Sequence, residues 1–184
     1  MKYYGEARLT KALRKVEKQG IKTGVPGLYT GEPEFIKEMA RLAPDGPGVE
    51  IGPRYGNTII MWGKERRGRI VGIDLVDRPL LRENIAKSGL PIEVIIGDSA
   101  TVDIPIEEIA FLFIDGDHRA PAIWNDIVRY TPLIMRGGIV VFHDYGHSPK
   151  RYPEFAVKRY VKAWRDATGW ERIGRVRYTI AFRR

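Results

Sequence analysis

The placing of apolar residues along the chain already divides it into elements. Residues 6–19 set Leu9, Leu13 and Val16 at helical spacing among Lys and Arg, which predicts an amphipathic surface helix. A second helix is predicted over 33–43, carrying Phe35, Ile36, Met39, Ala40 and Leu42. Its opening Pro33-Glu34 suits a helix N-terminus, where a missing N–H costs nothing and an acid meets the positive end of the helix dipole. From residue 48 short, nearly unbroken apolar runs take over. Residues 48–52, 69–74, 92–96, 110–114 and 139–142 read as strands. Between them, Asn57-Thr58 is placed to cap one helix, Asp77-Arg78-Pro79 opens another that Gly89 stops, and a third runs over 121–135 to Gly137-Gly138. A last helix falls at about 153–167.

Apolar strands alternating with helices predict a parallel sheet covered on both faces. The final runs, 170–176 and 177–182, are joined by almost nothing and must therefore pair antiparallel. The expected fold is a doubly wound α/β sheet of seven strands, mostly parallel, closed by a C-terminal hairpin. No repeat or linker marks a second domain, so 1–184 is read as one unit, a helical segment at 1–45 packing on a core at 46–184.

Composition narrows the chemistry. The 184 residues include no cysteine, which removes disulfides, thiolate metal sites and cysteine nucleophiles. No apolar run is long enough to span a bilayer, and the N-terminus lacks a signal-peptide core, so a cytoplasmic protein is expected. The net charge of +8 is concentrated at the end: residues 151–184 hold ten Lys and Arg against three Asp and Glu. Such a segment can face a phosphate backbone, or can simply be a solvated surface.

Polar residues fall where a doubly wound sheet binds ligands, beyond the carboxyl ends of its strands. The first strand ends in Glu50, Gly52 and Gly56, the second in Asp74, the third in Asp98-Ser99, the fourth in Asp115 and Asp117, and the fifth in His143-Asp144. Acids scattered at random would not all gather at strand ends, so these residues predict one site. Asp74 follows Gly52 by 22 residues, close to the offset of a carboxylate that holds ribose hydroxyls. The window Gly52-Pro53-Arg54-Tyr55-Gly56 lacks the glycine spacing of a pyrophosphate loop, and Glu50 beside it suits a ligand carrying an amino group.

Taken together, Val49–Thr58, Ile73-Asp74, Gly97-Asp98-Ser99, Phe113–His118 and Arg136–Tyr145 resemble the successive motifs of class I S-adenosylmethionine-dependent methyltransferases. The later motifs are similar to a subgroup of small O-methyltransferases related to macrocin O-methyltransferase. The resemblance runs from about residue 28 to 145 and implies a Rossmann-like fold that also ends in a hairpin. It implies that Glu50, Gly52 and Gly56 line the methionine part of the cofactor, that Asp74 holds the ribose hydroxyls with Leu75 also binding the cofactor, that Asp98 and Ser99 flank the adenine, and that Asp115 sits beside the sulfonium. In some members of the wider group a divalent cation, Mg²⁺ or Mn²⁺, is held at positions matching Asp115, His143 and Asp144; an imidazole among the oxygens leans away from Mg²⁺.

A hydroxyl acceptor must also lose a proton, for which His118, His143 and Asp115 are the candidates. His147 is read as an exposed loop residue, the four tryptophans as packing residues, and Arg66-Arg67-Gly68-Arg69 as the close of a helix. The expected activity is methylation of a small hydroxylated molecule. Nucleic-acid methylation through the basic C-terminal segment stays as an alternative, although the Asn/Asp-Pro-Pro-aromatic motif of base methylation is missing. So does a non-catalytic cofactor-binding module. With few residues outside the core, the pocket is shallow or is completed by a second subunit.

Overall fold

The computed structural model describes residues 28–148 and 150–184. The helix expected over 6–19 lies outside them. Helix α1 (Glu32–Leu42) leads into strand β1 (Gly48–Ile51), then α2 (Asn57–Gly63), β2 (Ile70–Asp74), α3 (Pro79–Ser88), β3 (Ile92–Ile96), β4 (Ile109–Ile114), α4 (Ala122–Tyr130), β5 (Ile134–Phe142), α5 (Val157–Thr168), β6 (Glu171–Val176) and β7 (Thr179–Arg183). The seven strands form one sheet in the order β3-β2-β1-β4-β5-β7-β6. Strands β1 to β5 are parallel, whereas β7 runs antiparallel to both β5 and β6. The order reverses between β1 and β4, which places the ligand crevice at their carboxyl ends.

Because successive side chains of a strand point to opposite faces, β4 feeds two cores at once. Phe111 and Phe113 join Phe35, Ile36, Met39 and Trp62 beneath α1 and α2. Leu112 and Ile114 join Ile123, Ile127, Tyr130 and Trp164 beneath α4 and α5. The hairpin closes through Arg177-Tyr178, with Val176 opposite Thr179 and Arg177 at φ 47°. A two-residue loop needs such a left-handed residue to match the twist of its strands.

The expectations for residues 121–142 and for Arg66 change. The helix placed at 121–135 ends at Tyr130, passes through a 3-10 turn (Thr131–Leu133), and β5 begins at Ile134 rather than 139. Ile109 pairs with Ile134 but Phe111 with Ile139, so a bulge absorbs the residues around Gly137 (φ 79°), which had read as a helix stop. Between β3 and β4 there is no helix; Val102, Ile104 and Ile106 of that connection pack on the core instead. The edge strand β3 is consequently only half covered. Arg66 does not close its own helix: its guanidinium donates to the carbonyls of Ala40, Ala43, Pro44 and Gly46, capping the end of α1. Arg69 pairs with Glu93 on β3. Among the described residues no helix is long and apolar enough to cross a membrane.

Candidate active site

A cleft of about 800 Å³ opens over the carboxyl ends of the strands. Strand order sets its two ends, with the turns after β2 and β3 on one side and those after β4 and β5 on the other. Gly52 stands between them at φ 85°. A Cβ there would lie 2.5 Å from the Asp115 carbonyl oxygen, so only glycine lets the first turn pass this close to the end of β4. Gly56, also left-handed, replaces Asn57-Thr58 as the cap of α2.

At the β2–β3 end, Asp74 is held by directed bonds. Its Oδ2 accepts the Arg54 N–H at 2.9 Å, and Oδ1 accepts the Val76 N–H at 2.9 Å and the Arg78 guanidinium at 2.5 Å. Leu75 lies on the cleft and is exposed. Asp98 is exposed and uses Oδ1 to accept the Ala100 N–H. Ser99 donates to Asp126 Oδ1 at 2.6 Å, a residue the sequence had not singled out. Burial, against the Ser99 bond and with Asp98 and Asp117 adding repulsion, pushes the Asp126 carboxyl up to about 6.

The β4–β5 end is built from ion pairs. The three histidines of the chain all meet Asp144: His118 Nε2 at 3.1 Å, His143 Nδ1 at 3.2 Å and His147 Nε2 at 2.6 Å. Asp144 itself is left-handed, φ 57°, a cost that its position among three imidazoles offsets. His143 Nδ1 is also 3.1 Å from Asp115 Oδ1, and its Nε2 is 3.5 Å from Glu32 Oε2. Neither ring nitrogen makes a well-aligned hydrogen bond, although both stand close to carboxylate oxygens. Burial alone would lower the His143 pKa; Asp115, Asp144 and Glu32 outweigh it and raise it well above the ordinary value. Burial would correspondingly raise Asp144, but the imidazoles win and hold it low.

Glu32, fully buried at the start of α1, was not legible as a site residue. It accepts the N–H groups of Tyr29 and Tyr178 and the Thr179 hydroxyl. Desolvation pushes its pKa up, but His143 and these donors bring it below the usual carboxylate value.

Other expectations shift as well. Glu50 does not line the cleft: it is 1 % exposed beneath the floor, accepts the Trp62 indole N–H at 2.5 Å, and burial raises its pKa well above the usual carboxylate value. Gly56 likewise lies off the cleft wall. His147 is not a free loop residue but stacks on Tyr178, ring centres 4.1 Å apart, with Tyr152 and Phe155 against its edge. Side-chain atoms able to ligate one cation come together from Asp115, His118 and Asp144, where the sequence pointed to His143. Nδ1 of His143 stands against two of the same carboxylates, those of Asp115 and Asp144.

A family model described as "Methyltransferase domain" matches residues 49–145. A curated relative, uncharacterized protein R132 of Acanthamoeba polyphaga mimivirus, is 28 % identical over 111 residues, 53 % of this chain and 50 % of its own length. The match thus spans about half of that relative. Among solved structures, the O-methyltransferase NovP superposes with a TM-score of 0.72 at 18 % identity, covering 83 % of this chain and 79 % of its own. TomG of Streptomyces achromogenes, an O-methyltransferase of tomaymycin synthesis solved with S-adenosylmethionine, gives 0.66 at 18 % identity over 100 % and 91 %. The O-methyltransferase of Bacillus cereus, solved with S-adenosylhomocysteine, gives 0.65 at 16 % over 100 % and 92 %. At such identities the structural likeness is one of fold. The family match runs from the first strand to the turn after the fifth, through every strand-end residue described above, and the chain belongs to this methyltransferase-domain family.

Proposed function

We propose that the protein transfers the methyl group of S-adenosylmethionine to a hydroxyl of a small molecule, as a single domain. The observation that carries this reading is the pairing of two unlike ends in one cleft. One end has a carboxylate at the ribose offset and polar groups suited to a base. The other has acids and imidazoles clustered where a donor sulfur and a hydroxyl would meet.

The sulfonium brings an activated methyl, so the protein's share is alignment of donor and acceptor and removal of the hydroxyl proton. Asp74 receives the ribose hydroxyls, Asp98 and Ser99 border the adenine, and Gly52 leaves the backbone open to the methionine part. Asp115, at the end of β4, faces the sulfonium. His118 is the base that takes the proton, its Nε2 oriented by Asp144 at 3.1 Å. His143, 6 % exposed at the cleft lining, serves instead as the counter-charge that holds Asp115 and Asp144 in place. Asp115, His118 and Asp144 also fit a divalent cation, with the nitrogen favouring Mn²⁺ over Mg²⁺, and an ion held there would replace His118 as the means of removing the proton, since an imidazole committed to a metal no longer takes one. Such an ion, when bound, lowers the pKa of a hydroxyl placed on it. Tyr29, Tyr152 and Phe155 line the cleft near this corner, giving a small acceptor apolar faces to lie against.

Titration of the protein with S-adenosylhomocysteine, first without metal and then with Mn²⁺, tests the reading. Micromolar binding that Asp74→Ala weakens is the expected result. Absence of binding heat and of any thermal shift under both conditions would sink it.

A further inference from the structure

Asp126 is a buried acid to which the chemistry above gives no task. It lies on α4, outside the strand-end motifs, and is 2 % exposed, yet its side chain reaches the cleft wall. Oδ1 takes the Ser99 hydroxyl. Oδ2 faces Gly116, where an added Cβ would stand 3.4 Å from it, so the absence of a side chain at that turn leaves the oxygen its room. Among the described residues, Ser99 makes the one hydrogen bond to this carboxyl, and the neighbouring charges that act on it, Asp98 and Asp117, are of its own sign. Oδ2 is not sealed within the protein but opens onto the cleft, an acceptor that none of the described residues takes up.

Holding the loop after β3 does not explain it. Arg129 already donates to the carbonyls of Ala100 and Val102 at 2.5 Å each, and the Tyr130 hydroxyl to that of Ser99 at 2.6 Å. Asp98, the other acid nearby, is exposed and spends an oxygen on its own turn. What remains is a hydrogen-bond acceptor in the cleft wall, one serine away from the place assigned to the base.

We propose that Asp126 is the residue that recognises the cofactor's base, its Oδ2 accepting a hydrogen from the exocyclic amino group of adenine while Ser99 fixes Oδ1. This rests on the cofactor reading given above. It assigns to the helix after β4 a specificity role that the strand-end motifs do not contain.

The test compares S-adenosylhomocysteine with its analogue carrying purine in place of adenine, which lacks only the amino group. Both are titrated calorimetrically into the wild-type protein, Asp126→Asn and Asp98→Ala. A hydrogen bond to a charged acceptor predicts that the wild type prefers the amino compound by roughly 10–100-fold. In Asp126→Asn the acceptor loses its charge and its one amide oxygen is contested by Ser99 and the base, so the preference should fall to within about threefold. Asp98→Ala should keep it. A structural role alone would change both affinities together and leave their ratio intact. Equal binding of the two compounds by the wild type overturns the assignment without reference to any variant. So does an unchanged ratio in Asp126→Asn, or a ratio lost in Asp98→Ala instead. If the wild type binds neither compound, the cofactor reading itself has failed, and this assignment with it.

Discussion

The two ends of the cleft solve opposite problems with the same residue types. At the β2–β3 end, carboxylates meet N–H and O–H groups along directed bonds: Asp74 has three such partners and Asp98 an N–H of its own turn. At the β4–β5 end, carboxylates meet imidazoles, and the central ring, His143, sits among three acids without a directed bond. Directed bonds fix a shape, which suits the nucleoside recognition proposed for this end. Ionic packing fixes a charge balance and leaves protons free to be redistributed, which suits a place where a hydroxyl must be deprotonated. The difference predicts that changes at the second end will be felt in turnover and stability, and changes at the first in binding.

The largest expected effect is at Asp144. Its replacement by Ala removes the partner of all three histidines and should slow methyl transfer by about 10²–10⁴-fold, measured with labelled cofactor on the best acceptor of a phenol and sugar panel. Binding of S-adenosylhomocysteine should change little; an equal loss of binding would erase the distinction between the ends. Next is Glu32→Gln. It places an amide donor against the Tyr29 N–H and His143, leaving a buried imidazole short of counter-charge, and should cost about 3–5 kcal/mol in urea unfolding. A variant as stable as the wild type would show that His143 does not depend on α1.

The pH dependence of Asp126 follows in size. Its pKa is raised from 3.8 to about 6 on folding, so the protein binds that proton more tightly than the unfolded chain does. The associated stability is fully present below pH 3.8 and lost as pH rises through 6, by about 3 kcal/mol in all. Asp126→Asn should flatten that part of the stability profile and unfold at higher urea than the wild type at pH 7.5. A profile unchanged between pH 4 and 7 would contradict the burial argument. The smallest effect expected is at Asp74→Ala, a loss of about 1.5–3 kcal/mol in S-adenosylhomocysteine binding with turnover at saturation nearly kept.

Much of this was open to reading from the chain, and for a local reason. An apolar run with an acid or glycine at its end is a signal contained in a few residues, and so Asp74, Asp98, Asp115 and Asp144 could be gathered into one site before any fold was known. Gly137-Gly138 was misleading because a helix stop and a strand bulge use glycine for the same backbone freedom. Glu32 could not be found this way: its partners Tyr178 and Thr179 lie 146 and 147 positions along the chain. Asp126 reads as one polar position on an amphipathic helix, and only the Ser99 contact turns it into a cleft residue. His147 did carry a hint, an acid three residues before it in a turn, but its stacking on Tyr178 depends on the hairpin.

The clamp that Arg66 places on the end of α1 has a consequence for where the working protein begins and ends. By gripping four carbonyls between Ala40 and Gly46, it secures from outside the sheet the helix that delivers Glu32. Neither Glu32 nor Thr179 falls within residues 49–145, the stretch by which the family is recognised. A polypeptide trimmed to that stretch would keep every strand-end acid but lose Glu32, the third carboxylate beside His143, the Tyr178-Thr179 end of the hairpin that fixes Glu32, and His147, Tyr152 and Phe155 of the cleft. The smallest unit able to hold the β4–β5 corner together therefore starts before α1 and includes β7, so the stretch that identifies the family is shorter than the stretch that assembles its cleft.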